Sequence, residues 1–252
     1  MKYITYIRYI YIYIRNSIIS LFSFLIINLI PRKNIKKLTE ILRNKKVLVL
    51  GSGPSLDKLN QDIIDNYDVI FFLNNSISIA NVYNFNNKTK ILFNSDLFRF
   101  KQLKNKIYSL DKTWIYIFVP VHLQLFFNFI FFYFTKKIYL IIPKFRIGHP
   151  FEKNVTKSII TYSLATNDDT KKILDFNNFK AFPHTVALNT FYFLISCKVS
   201  HLHYLGCDFN QGSSSLSSDN GPSNFLNKKI YLWVNKFKKL SDLYLIDFKD
   251  LK

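Results

Sequence analysis

The chain has 252 residues, of which 49% are hydrophobic and 17% aromatic, with 26 Phe and 16 Tyr, enough for one α/β domain with an extension and a stable core. Its formal net charge of +19 suits an anionic membrane face or a phosphorylated ligand, part of it reflecting a general richness in Ile, Lys and Asn, and no clustered Arg/aromatic motif argues for nucleic acid. Cys197 and Cys207 stand in no metal or redox spacing, so no disulfide framework is implied and two buried free thiols in a reducing compartment are the expectation.

Residues 1–34 read as a separate, membrane-associating segment. Met1 to Ile14 alternates Tyr and Ile around Arg8, and Asn16 to Ile30 is an uncharged run closed by Pro31-Arg32-Lys33. Fifteen helical residues reach roughly 22 Å, short of the roughly 30 Å hydrocarbon core. A tilted span that recruits the Tyr-rich part, a helix lying in the interface and a helix packed on the domain are the readings left open. No small-residue cleavage site marks a signal peptide. Residues 35–252 then make the folded domain, entered through a basic linker helix over Ile35 to Lys46.

Val47 to Leu50 is a short continuous apolar run, the pattern of a strand buried on both faces, and it ends in Gly51-Ser52-Gly53-Pro54-Ser55. That is a strand-to-helix turn. Pro54 suits the first helical position, so a helix is expected from there through Leu59, Ile63 and Ile64. The two glycines permit a sharp turn, and unpaired N–H groups at the helix start favour a phosphate. Position 56 is Leu where the dinucleotide fingerprint needs a third glycine, which argues against an ordinary NAD-type fold.

Asp68 to Leu73 and Lys90 to Phe93 are further buried-strand candidates, ending in Asn74-Asn75-Ser76 and Asn94-Ser95-Asp96. In an open parallel sheet ligands bind beyond the carboxyl ends of the strands, so GSGPS, Asn74 and Asn94 are expected along one edge. Trp114 to Val119 reads as a strand, Leu123 to Phe134 as an aromatic helix after Pro120, and Lys137 to Ile142 as another strand. Residues 143–180 are the candidate lid. Pro183-His184-Thr185 opens a helix that is apolar almost all round from Val186 to Cys197, with Thr185 at its start to cap it or meet a ligand. Leu202 to Leu205 is a strand ending in Gly206-Cys207-Asp208-Phe209, a polar loop covers Asn210 to Asn224, and the chain closes with a basic helix near Phe225 to Leu240 and a strand at Leu243 to Phe248.

Taken together, V-L-G-S-G-P-S-L, F-F-L-N-N, I-L-F-N-S-D-L-F, and H-T-V-A-L about twenty residues before Y-L-G-C-D-F resemble the bacterial sialyltransferases of glycosyltransferase family 42. They also resemble the wider group of 6-hydroxymethylpterin pyrophosphokinases and related proteins on the same nucleotide-binding scaffold. The likeness runs from Lys45 to Gly212. It implies a Rossmann-like α/β domain with a mostly parallel sheet and a lid, a CMP-activated acidic sugar as donor, and inverting transfer to a surface glycan without a metal or other cofactor. It further implies that Gly51, Ser52, Gly53, Pro54 and Ser55 face the donor nucleotide, that Asn74 and Asn94 reach nucleotide and sugar, that Thr185 lines the donor site, and that Gly206 to Phe209 lies beside the cytidine. Neutral N–H and amide donors suit such a ligand.

One departure stands out. The family's catalytic histidine follows its last strand, whereas no histidine follows His203 here, and Asn210 stands where a leaving-group tyrosine is expected. His184 is the candidate replacement base and Asp208 the second candidate. His201 and His203 read as structural strand residues, and His122 and His149 have no visible partner. A cytoplasmic-face, inner-membrane location follows from the first segment and the charge. The competing functions are a pyrophosphokinase-like enzyme, which would need ATP and Mg²⁺, and a degenerate nucleotide-binding protein.

Overall fold

A computed structural model of the chain describes residues 2–29, 35–94, 113–118, 138–141, 145–147, 160–162, 171, 180, 185–208 and 228–251. The expected aromatic helix at Leu123 to Phe134, most of the lid candidate, and His122, His149, His184 and Phe209 lie outside them.

An α/β domain is built on a seven-stranded sheet. Helix α1 (Lys2–Leu29) and helix α2 (Ile35–Leu42) precede β1 (Lys46–Leu50), β2 (Val69–Leu73), β3 (Thr89–Asn94), β4 (Ile115–Phe118) and β5 (Ile138–Leu140). Strands β6 (Phe145–Ile147) and β7 (Ile160–Tyr162) form a separate antiparallel pair inside the lid candidate. Helix α3 (Gln61–Asp65) lies between β1 and β2; α4 (Val186–Ser196), β8 (His201–Leu205), α5 (Lys228–Leu243) and β9 (Asp247–Asp250) complete the chain.

The sheet order is β5-β4-β3-β2-β1-β8-β9 and every neighbouring pair in it is parallel. The chain thus starts in the middle, builds outward through β5, and returns to β1's other side with β8. The β1/β8 seam is the topological switch point, where an open parallel sheet offers its crevice. Because the sheet is covered on both faces, β1 and β2 are buried almost throughout, which is why they read as continuous apolar runs rather than alternations.

On one face Val47, Val49, Phe71 and Phe93 meet Leu38 and Leu42 of α2, Leu188, Phe191 and Phe193 of α4, and Val234, Phe237 and Leu240 of α5 in a single core. Tyr192 and Phe237 stack with centroids 5.8 Å apart, joining α4 to α5. On the other face Phe72 packs edge-on to Phe85 and at 4.9 Å from Trp114.

Three element boundaries differ from expectation. The helix expected from Pro54 through Ile64 is instead a 3-10 turn, Pro54–Lys58, followed by a break at Leu59-Asn60 and the short α3. Asn60 causes the restart: its side-chain oxygen accepts the Ile63 N–H at 2.9 Å, an N-cap in the middle of the apolar pattern. The last strand is Asp247–Asp250, not Leu243 to Phe248, because α5 runs on to Leu243 and closes in a turn over Tyr244 and Leu245. The linker helix likewise stops at Leu42, ahead of Asn44 with a positive φ of 60°.

Candidate functional site

The carboxyl edge of the sheet gathers the polar strand ends. Gly51 follows β1, Asn74 follows β2, Asn94 ends β3 and Gly206 follows β8. Since these four strands are adjacent and parallel in the order β3-β2-β1-β8, their tips share one edge. Thr185 joins them because α4 runs back across the sheet toward the start of β8. Its hydroxyl caps the helix, accepting the Ala187 N–H at 2.9 Å.

The β1 and β8 tips are sewn together. Gly51 N–H donates to the Leu205 carbonyl at 2.8 Å and Gly53 N–H to the Gly206 carbonyl at 2.7 Å. In return the Gly206 N–H donates to Ser55 Oγ at 2.8 Å. The Ser55 hydroxyl and N–H both donate to Asp208 Oδ2, each at 2.8 Å. This explains the glycines by close approach: a Cβ on Gly51 would collide with the Gly206 carbonyl oxygen, and one on Gly206, which has φ +72°, would sit 2.6 Å from the Gly51 carbonyl oxygen.

The hydrogen bonds of the seam bear on two of the expected roles. The N–H groups of Gly51, Gly53 and Ser55 serve the neighbouring loop rather than pointing outward as phosphate donors, and the 3-10 turn after Pro54 carries no long helix dipole. What the turn leaves half-exposed is Ser52, Gly53 and Pro54. Asp208, 3% exposed and accepting twice from Ser55, orders the two loops. Both hydrogen bonds fall on Oδ2, so this oxygen braces the turn.

Asn74 has the geometry of a residue held for another purpose. Its φ is +49°, a left-handed backbone that a non-glycine residue adopts at some cost. Its Oδ1 is buried without a hydrogen-bond partner among the described residues. The next turn is fixed to β1 by Ser76, whose hydroxyl donates to the Leu50 carbonyl at 2.7 Å. Asn94 is 4% exposed.

The strand histidines belong elsewhere. His203 bridges Tyr67, whose hydroxyl lies 2.7 Å from Nδ1, and Asp247, whose Oδ2 lies 2.7 Å from Nε2. An ionised carboxylate only accepts, so in the neutral ring Nε2 carries the proton and Nδ1 accepts from Tyr67. Tyr67 precedes β2 and Asp247 opens β9, so the cluster sits toward the amino ends of those strands, away from the polar edge. Burial lowers the His203 pKa below its usual 6.5 against the opposing pull of Asp247, while burial and the Asp247 charge push Tyr67 up to about 12. The structural reading of His203 fits these contacts. Sequence reasoning had no route to its partners, which lie 136 and 44 residues away.

Cys197 and Cys207 are buried free thiols, and burial pushes the Cys197 thiol upward, away from thiolate chemistry. Among the described residues no three His, Cys, Asp or Glu side chains gather to hold a metal ion. No family model and no curated protein matches this chain.

Proposed function

We propose that the chain is a sialyltransferase-like glycosyltransferase that takes an acidic sugar from a CMP-activated donor and passes it to a surface glycan. The observation that carries this reading is the convergence of Asn74, Asn94, Thr185 and the Gly51–Ser55 turn on the carboxyl edge of one parallel sheet, beside its switch point. Asn74, with its left-handed backbone and unsatisfied buried Oδ1, supplies an acceptor suited to the amino group of a cytosine edge. In this reading the Gly51/Gly206 seam is the rigid floor of the donor site, and Ser55 with Asp208 positions it. His184 remains the candidate base.

Asp208's engagement with Ser55 favours one competing reading, a nucleotide-binding protein of the same scaffold that no longer catalyses. Calorimetry with CMP, and separately with ATP plus Mg²⁺, tests the proposal. Binding of CMP alone, weakened about tenfold or more by Asn74→Ala through loss of a polar contact, is the expected result. Binding of ATP only with metal would move the assignment to a pyrophosphokinase-like enzyme, and no binding of either nucleotide overturns both. Release of CMP from a CMP-sugar by wild type, lost in His184→Ala, separates transferase from binding protein.

A further inference from the structure

Helix α1 is apolar almost all round, with Ile12, Ile19, Phe24 and Ile26 half-buried, and it also shows apolar side chains to water. Ile7, Tyr11, Ile14, Ile18, Leu25 and Leu29 form an exposed ridge, each at least half accessible, while Ser20 and Ser23 on the opposite side are 0% exposed. A helix on a water-facing domain normally buries its apolar side and shows its serines. Here the serines turn toward the protein, where α1 meets β7, and a continuous apolar ridge is left bare.

We propose that this ridge seats α1 along the headgroup–acyl boundary of an anionic bilayer, independently of what the sheet edge binds. Three observations favour a bilayer over another protein. Ile10, Leu21 and Phe22 are also exposed and flank the ridge, widening it to an arc of about 120° at 3.6 residues per turn. A second copy of the helix would cover only the narrow seam at alternating three- and four-residue steps and leave Ile10 and Phe22 in water. Lipid covers the whole arc.

The second observation is charge. From Met1 to Thr39 the chain has Lys2, Arg8, Arg15, Arg32, Lys33, Lys36 and Lys37 and no acidic residue; Arg15, Lys36 and Lys37 are exposed. A basic segment bordering an apolar face suits an anionic leaflet. The third is length: no helix among the described residues is long and apolar enough to cross a membrane, whereas 28 residues laid flat offer roughly 42 Å of contact.

The full-length protein, freed of detergent, is floated with vesicles of phosphatidylcholine alone or mixed with phosphatidylglycerol, at low and high salt. Flotation with the anionic vesicles, reduced by salt and about tenfold by I14D/I18D but unchanged by Val82→Asp, is expected. Val82 is an exposed apolar control remote in sequence from α1. A Phe22→Trp reporter in the otherwise native chain should be quenched by lipids brominated on their acyl chains. Equal flotation of I14D/I18D, equal binding to neutral and anionic vesicles, or an unquenched reporter would each overturn the proposal. A shift from dimer to monomer in I14D/I18D without vesicle binding would assign the ridge to a second copy instead.

Discussion

Ser55 and Asp208 show how one side-chain pair holds two distant loops. Ser55 Oγ accepts the Gly206 N–H while donating to Asp208, so one hydroxyl satisfies two buried groups from the β8 loop. Ser55→Ala leaves the Gly206 N–H without that acceptor and the carboxylate with one contact fewer. Unsatisfied buried groups cost about 1–3 kcal/mol, so urea denaturation should show a loss of that size. His203 carries a pH signature. Its folded pKa is lowered by burial below the usual 6.5, so the unfolded chain binds the proton more readily. Stability is therefore fully present above about pH 6.5 and is lost as pH falls through and below that value. Melting temperatures of wild type should decline more steeply than those of His203→Gln across this acidic window, and a parallel decline would remove His203 as the cause.

At the scale of elements, the chain solves its helix-to-strand joints with few glycines. Asn44, Lys198 and Leu245 all have φ between 56° and 60°, one in each link into β1, β8 and β9. The link after α5 is a complete Schellman turn: Ile246 N–H donates to the Ser241 carbonyl at 2.9 Å and Leu245 N–H to the Asp242 carbonyl at 3.2 Å. Leu245 is 92% exposed, so its side chain contributes no packing while its Cβ crowds the left-handed backbone. Leu245→Gly should therefore raise unfolding free energy by roughly 0.5–1 kcal/mol, the relief of that strain less the added freedom of the unfolded chain. Chemical denaturation reads it directly. The same turn explains why the apolar run from Leu243 to Ile246 looks like a strand in sequence. Its residues close a helix, and only Ile246 is buried.

For the whole molecule, the sheet order decides what the polar residues can do. The fold class was legible because strands covered on both faces become uninterrupted apolar runs, and Val47 to Leu50, Asp68 to Leu73 and Lys90 to Phe93 have that form. The gathering of strand tips follows from parallel pairing and was legible with it. The break at Asn60 left a readable sign, a capping side chain before Gln61-Asp62-Ile63, outweighed by the spacing of Leu59, Ile63 and Ile64. The destination of the glycine turn's N–H groups left no sign, because Ser55 and Asp208 are 153 residues apart. By itself the sequence determined β1, β2, β3, β4, β5 and β8, the glycine turn and Thr185 as a helix start, since local sterics, burial periodicity and capping act within a few residues. The tertiary structure alone decided that the turn braces β8, that His203 joins Tyr67 to Asp247, and that α1 leaves an apolar ridge bare. Each of these depends on which segments the sheet brings side by side, and neighbours in space impose no spacing on residues so far apart along the chain.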